Sequence, residues 1–237
     1  MPATTYDPRL VSVLAALLWV QFFAAVDAAE PITATSTRGH SHNDYWHSRP
    51  LQDALDAGFH SIEADVFLVD GKLLVGHAPN ELSPDRTLDA LYLMPLARRL
   101  EADAGQVEKP GHSDDRRPQL TLLVDIKTDA EATYSALRDA LRPYAKWLLP
   151  PQENSLTRPP LRIIVSGNRP YEAIARDTNR LVGIDGRPGD LQTNELSADV
   201  MPWVSESWPR LFLWRGEGTI PEEEMQRLED LVATAHA

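Results

Sequence analysis

A chain of 237 residues is long enough for one large domain or two small ones, and its 43% hydrophobic and 24% charged residues are typical of a globular protein. The formal net charge of -12 argues against non-specific binding of nucleic acid, because that binding requires lysine and arginine to neutralise phosphates. The absence of cysteine from the sequence excludes disulfides and thiolate metal sites.

The N-terminal segment is typical of a secretory signal peptide. An uncharged, mostly apolar run covers residues 10–25, Arg9 precedes it, and Val26-Asp27-Ala28 follows it as a cleavage site. We therefore predict a signal peptide over residues 1–28 and export of a mature domain comprising residues 29–237, to the periplasm or the medium. An uncleaved N-terminal membrane anchor is the alternative, although the run is short for a span of about 20 residues.

Predicted strands and helices alternate along the rest of the chain. The strands are predicted at residues 32–38, 59–69, 72–75, 120–126, 161–165, 181–184 and 211–214. The helices are predicted at residues 50–57, 88–104, 130–149, 171–177 and 222–236. Pro95 and Pro143 are expected to kink or interrupt two of these helices, and Asp70-Gly71 predicts a hairpin turn. Residues 105–118 lack periodicity and are predicted to form a polar loop.

This alternation indicates right-handed βα units and a parallel sheet. Polar candidate residues fall at the carboxyl ends of the predicted strands, which is where α/β barrels build their active sites. The fold is therefore predicted to be a TIM-type α/β barrel. About six strands fit the pattern, fewer than a complete barrel requires, so we expect a distorted barrel that is incomplete at its C-terminus.

Three carboxylates in this pattern predict a metal site. Glu63 and Asp65 are two residues apart, so they project from the same face of a strand. Burying them side by side is costly unless a cation or a shared proton compensates, and surface carboxylates on an edge strand are the alternative. Asp125, near the end of strand 120–126, adds a third oxygen donor. Oxygen-only donors suit one hard divalent cation, with Mg²⁺ expected and Ca²⁺ as the alternative.

Two histidines at strand ends lie on either side of the carboxylate pair in the sequence. Imidazole transfers protons readily near neutral pH, so His40 and His77 are predicted to be the acid and base of a reaction. His42 is interpreted as a bystander, although it is the residue whose role is most easily exchanged with that of His40. A zinc site formed by all three histidines is the alternative, but it leaves the carboxylates unexplained.

These residues stand in segments that resemble the phospholipase C-like phosphodiesterase superfamily, which includes glycerophosphodiester phosphodiesterases and sphingomyelinase D enzymes. The similar segments are Gly39-His40 with Asn43, the run from Asp53 to Gly58, the run from Ile62 to Val66, Asp70-Gly71 before His77, and Asp125-Ile126-Lys127. The run from His40 to Trp46 more closely resembles the branch named for altered inheritance of mitochondria protein six. The resemblance covers roughly residues 37–127.

The resemblance implies a distorted TIM barrel that cleaves phosphodiesters with one divalent ion. It implies metal ligation by Glu63, Asp65 and Asp125, acid/base catalysis by His40 and His77, and a phosphate contact by Lys127. Asn43, within the resemblance, and Asn168, after the strand at 161–165, are predicted to contact the substrate. That substrate is expected to be a glycerophosphodiester or a lysophospholipid-like molecule, and a phospholipid would bring transient contact with a membrane surface.

Two departures from the glycerophosphodiesterase pattern leave other functions open. Its His-Arg-Gly motif is replaced here by His40-Ser41-His42, and its Glu-Asn-Thr segment is absent. A barrel that binds a phosphorylated or lipid ligand without turnover is therefore an alternative. A sugar-acting barrel that uses Glu63 as an acid is a further alternative, and it would need no metal.

Overall fold

The computed structural model describes residues 39–107, 119–148, 159–192 and 196–236. The predicted signal peptide and the predicted strand at 32–38 lie outside these residues, as does most of the predicted loop at 105–118. Residues 105–107 continue the helix before that loop instead of belonging to it. Within the described ranges, no helix combines the length and the apolar character that crossing a bilayer requires.

The described residues form seven strands in one sheet. These are β1 (His40–Ser41), β2 (Ser61–Val69), β3 (Lys72–Val75), β4 (Leu120–Ile126), β5 (Leu161–Gly167), β6 (Gly183–Gly186) and β7 (Trp203–Val204). Six of them are parallel neighbours in the order β1-β2-β4-β5-β6-β7, while β3 pairs antiparallel with the end of β2. The sheet is curled into a half-barrel, so the predicted parallel α/β architecture is confirmed.

Helices connect most of the parallel strands. They are α1 (Gln52–Asp56), α2 (Met94–Val107), α3 (Ala130–Leu141), α4 (Ala145–Leu148), α5 (Tyr171–Arg176), α6 (Trp208–Leu211) and α7 (Glu222–Ala235). The 3-10 turn Arg142–Tyr144 separates α3 from α4, since Pro143 has no amide hydrogen for a continuous helix. Pro95 causes no break: it lies just after the π-helical segment Asp89–Leu93, and the helix continues through it into α2.

The prediction of a last strand at residues 211–214 is wrong. Leu211 ends α6, and the last described strand is Trp203–Val204. The apolar run misled the prediction because Phe212 is buried by packing against Trp208, with ring centroids 4.3 Å apart, and not by strand pairing. Strand β6 also begins two residues later than predicted, because pairing with β5 starts at Gly183.

The two faces of the sheet differ in chemistry. One face packs against α2, α3 and α5 and belongs to the hydrophobic core, to which the strands contribute Ile62, Ala64, Val66, Leu122, Val124, Ile126, Ile163, Val165 and Ile184. Successive residues of a strand point to opposite faces, so Glu63 and Asp65 lie on the other face. Ile62 and Val66, the apolar residues that flank this pair in the sequence, are therefore across the sheet from it.

Candidate active site

Three carboxylates meet on the polar face of the sheet. Glu63 and Asp65 come from β2 and Asp125 comes from β4, and the parallel register places Asp65 directly beside Asp125. One oxygen atom from each residue lies within 4.8 Å of the oxygens from the other two. The structure therefore brings together the three residues that were predicted to bind a metal.

Burial of these carboxylates disfavours their charged forms. Glu63 and Asp65 are buried, and Asp125 is partly buried. Burial raises the pKa of Glu63, and the nearby charges of Asp65 and Asp125 raise it further. Burial also raises the pKa of Asp125, although Lys127 partly opposes that change. Three acidic groups at this spacing repel one another unless positive charge lies among them.

Lys127 supplies part of that positive charge. Its Nζ lies 3.1 Å from Oδ2 of Asp65 and 3.1 Å from Oδ1 of Asp125. Burial alone would lower the pKa of Lys127, but the two carboxylates outweigh burial and raise it, so the side chain is cationic. The lysine thus bridges β2 and β4 at the acidic site.

The residues fit a hard divalent cation. All three donors are carboxylate oxygens, the ligand type that Mg²⁺ and Ca²⁺ prefer. Lys127 offers a single positive charge against three acidic groups. Oδ1 of Asp125 is buried and, within the described part of the chain, no hydrogen bond of good geometry reaches it, although it lies beside the lysine. Glu63, Asp65 and Asp125 could therefore hold a divalent ion of this kind.

His77, two residues after the end of β3, contacts the acidic site. Its Nδ1 lies 3.0 Å from Oδ2 of Asp65, and half of the side chain is exposed. A carboxylate only accepts hydrogen bonds, so Nδ1 carries a proton and Nε2 is left for other partners. The arrangement suits proton transfer between Nε2 and a bound molecule.

Tyr45, which the sequence interpretation missed, is the buried centre of this network. Its hydroxyl lies 2.8 Å from Oδ2 of Asp65, 2.7 Å from Oδ1 of Asn43 and 3.3 Å from Nδ1 of His77. Burial and the hydrogen bond to Asp65 raise the pKa of Tyr45, so the hydroxyl keeps its proton. The only signal for this role was its position in the His40–Trp46 run, because an isolated tyrosine carries no charge pattern.

Asn43 supports the site mainly through its backbone. Its amide N–H donates a hydrogen bond of 2.9 Å to Oε2 of Glu63. The side chain is buried, and its oxygen lies within hydrogen-bond distance of the Tyr45 hydroxyl. The backbone at Asn43 has a φ of 51°, a left-handed conformation that asparagine adopts more easily than most residues.

His40 lies on the polar face but away from the carboxylates. Its Nδ1 is 2.7 Å from Oγ of Ser61, and its ring contacts that of Trp203 edge to face. Burial lowers the pKa of His40, and the neighbouring His42 lowers it further. Among the described residues, none of the three acidic groups comes within ion-pair distance of His40. His42, interpreted as a bystander, has Nε2 3.4 Å from Oε2 of Glu63 on a side chain that is 71% exposed.

Asn168 is exposed and contacts the end of β4. Its side-chain amide donates a hydrogen bond of 2.9 Å to the carbonyl of Thr128, and its backbone N–H donates to Ile126. The structure does not bring Asn168 into contact with the three carboxylates. Gly167, next to it, has a φ of +68° and lies so close to Asp125 that a Cβ there would be 2.0 Å from Oδ1.

Comparison with known proteins identifies the family. The sequence matches the family model of the AIM6-like phosphodiesterase domain over residues 30–185. This chain belongs to the AIM6-like phosphodiesterase domain family. The predicted resemblance to the branch named for altered inheritance of mitochondria protein six is therefore confirmed. No solved structure matches the chain.

Three curated fungal relatives of this AIM6-like domain show how far the similarity extends. The altered inheritance of mitochondria protein 6 homolog of Arthroderma benhamiae is 34% identical over 168 residues, which cover 64% of this chain and 54% of that protein. Altered inheritance of mitochondria protein 6 of Eremothecium gossypii is 35% identical over 149 residues, which cover 57% of this chain and 38% of that protein. The Kluyveromyces lactis protein of that name is 35% identical over 160 residues, which cover 56% of this chain and 38% of that protein. The chain thus spans about half or less of the length of these relatives.

The AIM6-like match ends at Asp185, which belongs to a second polar group on the same face. Oδ2 of this buried carboxylate accepts hydrogen bonds from Ser166 (2.7 Å), Ser205 (2.9 Å) and Arg187 (2.5 Å). The strand register aligns Asp65, Asp125, Ser166 and Asp185 in one row across β2, β4, β5 and β6. Polar residues near the carboxyl end of each strand were the sequence signal for this row.

Proposed function

We propose that this AIM6-like domain is a phosphoric diester hydrolase that uses one divalent cation, Mg²⁺ before Ca²⁺, and histidine acid/base catalysis. The observation that carries the proposal is the convergence of oxygens from Glu63, Asp65 and Asp125 within 4.8 Å, with His77 and Lys127 in contact with them. The name of the domain family supports a phosphodiesterase-type activity.

The three carboxylates would hold the cation. A divalent ion bound there supplies a Lewis acid that neutralises charge on the oxygens of the phosphoryl group. Lys127 would assist the cation by placing a positive charge of the protein beside the phosphoryl group. Its ammonium has three N–H donors and contacts two carboxylates, which leaves a donor for a phosphoryl oxygen as negative charge develops in the transition state.

The two histidines would move the protons. Since burial lowers its pKa, His40 is neutral at pH 7 and accepts a proton from the attacking water as the new P–O bond forms. His77 in its imidazolium form, with Nδ1–H held by Asp65, donates the Nε2 proton to the leaving oxygen as the ester P–O bond breaks. The proton count balances, because His40 gains one proton from the nucleophile and His77 gives one to the leaving oxygen.

The remaining parts of the proposal come from the sequence. A glycerophosphodiester or a lysophospholipid-like molecule is the proposed substrate, in line with the resemblance to that superfamily. Export after removal of residues 1–28 is proposed from the apolar N-terminal run. We also infer that the half-barrel is part of a distorted TIM-type barrel, because its polar residues gather at the carboxyl ends of parallel strands.

Hydrolysis assays test the function. The purified protein is incubated with bis-p-nitrophenyl phosphate, glycerophosphocholine and lysophosphatidylcholine, with Mg²⁺ or with EDTA. We expect release of the alcohol with Mg²⁺ only, and loss of that release in Asp65→Asn. Turnover of these diesters that EDTA leaves unchanged would overturn the metal-dependent mechanism. Absence of turnover of all three substrates would overturn the hydrolase.

A second candidate function is binding of a phosphorylated or lipid ligand without turnover. The observation that favours it is the position of His40, whose contacts are with Ser61 and Trp203 and not with the acidic groups. Binding of glycerophosphocholine or lysophosphatidylcholine that requires Mg²⁺, without product, would support this candidate against the hydrolase.

A further inference from the structure

The loop between β1 and α1 supports two of the three carboxylates. From this loop, the backbone N–H of Asn43 donates to Glu63 and the hydroxyl of Tyr45 donates to Asp65. Both donors reach the carboxylates at 2.9 Å or less. The positions of the carboxylate oxygens of Glu63 and Asp65 therefore depend on the conformation of this loop.

Asp44, between these two residues, is completely buried and makes contacts on both of its oxygens. Oδ2 accepts hydrogen bonds from the backbone N–H of Leu51 (2.5 Å) and from the hydroxyl of Tyr92 (3.0 Å). Oδ1 accepts a hydrogen bond of 3.1 Å from Oγ of Ser41 and lies 3.4 Å from Nδ1 of His47. One carboxylate thus connects both ends of the loop to the π-helical segment that precedes α2.

The backbone that Asp44 connects has positive φ at two residues, and this is unfavourable for the second of them, a leucine. Asn43 has a φ of 51°, and Leu51 has a φ of 66° with a ψ of -51°. Residues with side chains rarely adopt positive φ, so such conformations persist only where surrounding contacts impose them. The hydrogen bond from the Leu51 N–H to Asp44 is such a contact, and without it the loop would relax.

We propose that Asp44 is a positioning residue for the acidic site. Its carboxylate holds the loop in the conformation that presents the Asn43 N–H to Glu63 and the Tyr45 hydroxyl to Asp65. The inference rests on the proposed function, because the role of these two carboxylates in it is to bind a divalent cation. Outer-sphere hydrogen bonds that orient metal ligands commonly change metal affinity by 10- to 100-fold.

The test compares Mg²⁺ affinity with stability in matched variants. Asp44→Ala removes every contact of the carboxylate. Tyr92→Phe and Tyr134→Phe are a milder, matched pair. Tyr92→Phe removes a hydroxyl that donates to Asp44 at 3.0 Å. Tyr134→Phe removes a hydroxyl that donates to Asp177 at 2.8 Å. The Mg²⁺ dissociation constant of each folded protein is measured by isothermal titration calorimetry without substrate, and its melting temperature is measured without ion.

The expected result separates positioning from stability. Mg²⁺ binding should weaken about tenfold or more in Asp44→Ala and about threefold in Tyr92→Phe, while Tyr134→Phe binds Mg²⁺ like the unaltered protein. Both tyrosine variants should melt at lower temperature. If Asp44→Ala does not fold, the tyrosine pair still decides the question.

Two results would overturn the inference, and they are distinguishable. Unchanged Mg²⁺ affinity in Tyr92→Phe and in any folded Asp44→Ala, with lower melting temperatures, would show that Asp44 only stabilises the fold. An unaltered protein that binds no Mg²⁺, Mn²⁺ or Ca²⁺ would refute the proposed metal site and the inference with it.

Discussion

His40 on the first described strand contacts Trp203 on the last one, with ring centroids 5.7 Å apart and ring planes at 69°. In the sheet order, β2, β4, β5 and β6 separate these two strands. Such side chains can meet only if the sheet curls toward the face that carries them, so the polar face is the concave one. The contact also explains why His40, a strand-end residue, is partly buried.

The first prediction concerns the titration of His40 in Trp203→Ala. Burial is the largest cause of the lowered pKa of His40, so removing the indole should raise that pKa toward the ordinary histidine value near 6.5. NMR titration of the histidine ring protons measures it. Trp208→Ala, which removes an indole that packs on Phe212 instead, is the control. An unchanged His40 pKa in Trp203→Ala would contradict the assigned cause.

The same lowered pKa has a consequence for stability, with a definite sign. The folded protein binds a proton at His40 less readily than the unfolded chain does. The contribution of His40 to folding is therefore present above the unfolded-state pKa of about 6.5 and is lost as the pH falls through the lower folded-state pKa. Denaturant titrations at several pH values measure the free energy of unfolding. Its loss between neutral and acidic pH should be smaller in Trp203→Ala than in the unaltered protein.

The second prediction distinguishes His40 from His42. If His40 accepts the proton of the attacking group, His40→Ala should reduce turnover by roughly 100-fold or more while Mg²⁺ still binds. His42→Ala removes an exposed side chain that lies 3.4 Å from Glu63 and should reduce turnover less than about tenfold. Steady-state rates on one phosphodiester measure both. A larger loss in His42→Ala would transfer the proton-accepting role to His42.

Much of the sheet could be predicted because its strands carry their own signals. Strands β3 and β4 match the predicted bounds 72–75 and 120–126, since each is an apolar run next to turn or loop residues. The acidic triad followed from alternation within β2 and from the position of Asp125 near the end of β4. These features depend on residues close together in the chain, so they can be read from one sequence.

Other features depend on contacts that no local pattern records. Strand β7 has two residues and exists because Trp203 pairs with Asp185 and Val204 with Gly186. Tyr45 belongs to the site because of the loop conformation that Asp44 imposes, which nothing in an isolated Asp-Tyr dipeptide indicates. Tertiary pairing and loop conformation therefore decide the parts of the fold and the site that were missed.

The third prediction concerns Asp125→Asn in the absence of ion. Burial raises the pKa of Asp125, so the folded protein binds the proton more tightly than the unfolded chain. Stability of the ion-free protein is therefore lost as the pH rises through the raised pKa, and Asp125→Asn should be more stable than the unaltered protein at pH 7. The difference should shrink toward pH 4. Melting temperatures at both pH values, measured in EDTA, test this.

Asp53→Asn is a control of opposite sign for that experiment. A hydrogen bond from the backbone N–H of Arg49 lowers the pKa of Asp53, so its charged form stabilises the fold at neutral pH. That variant should be less stable at pH 7, not more stable. Mg²⁺ should raise the melting temperature of the unaltered protein and of Asp53→Asn, but not that of Asp125→Asn. Equal stabilisation of all three by Mg²⁺ would exclude Asp125 as a ligand.

The fourth prediction uses two glycines to separate backbone strain from displacement of a ligand. Gly167 has a φ of +68°, and a Cβ there would lie 2.0 Å from Oδ1 of Asp125 and 2.5 Å from the Ile126 carbonyl. Gly71 has a φ of +76°, and a Cβ there meets nothing within 4 Å. Alanine at either position should cost about 1–2 kcal/mol of stability through the left-handed backbone conformation, and more at Gly167 because of the contacts.

Only Gly167→Ala should also weaken Mg²⁺ binding and turnover, because the new methyl group displaces the Asp125 carboxylate. Chemical denaturation measures the stability of each variant, and calorimetry measures its Mg²⁺ affinity. Equal Mg²⁺ affinity in both variants would mean that the position of Asp125 against the Gly167 backbone has no part in binding the ion. Loss of affinity in Gly71→Ala as well would mean that strain in the β2–β3 hairpin reaches Asp65 or His77.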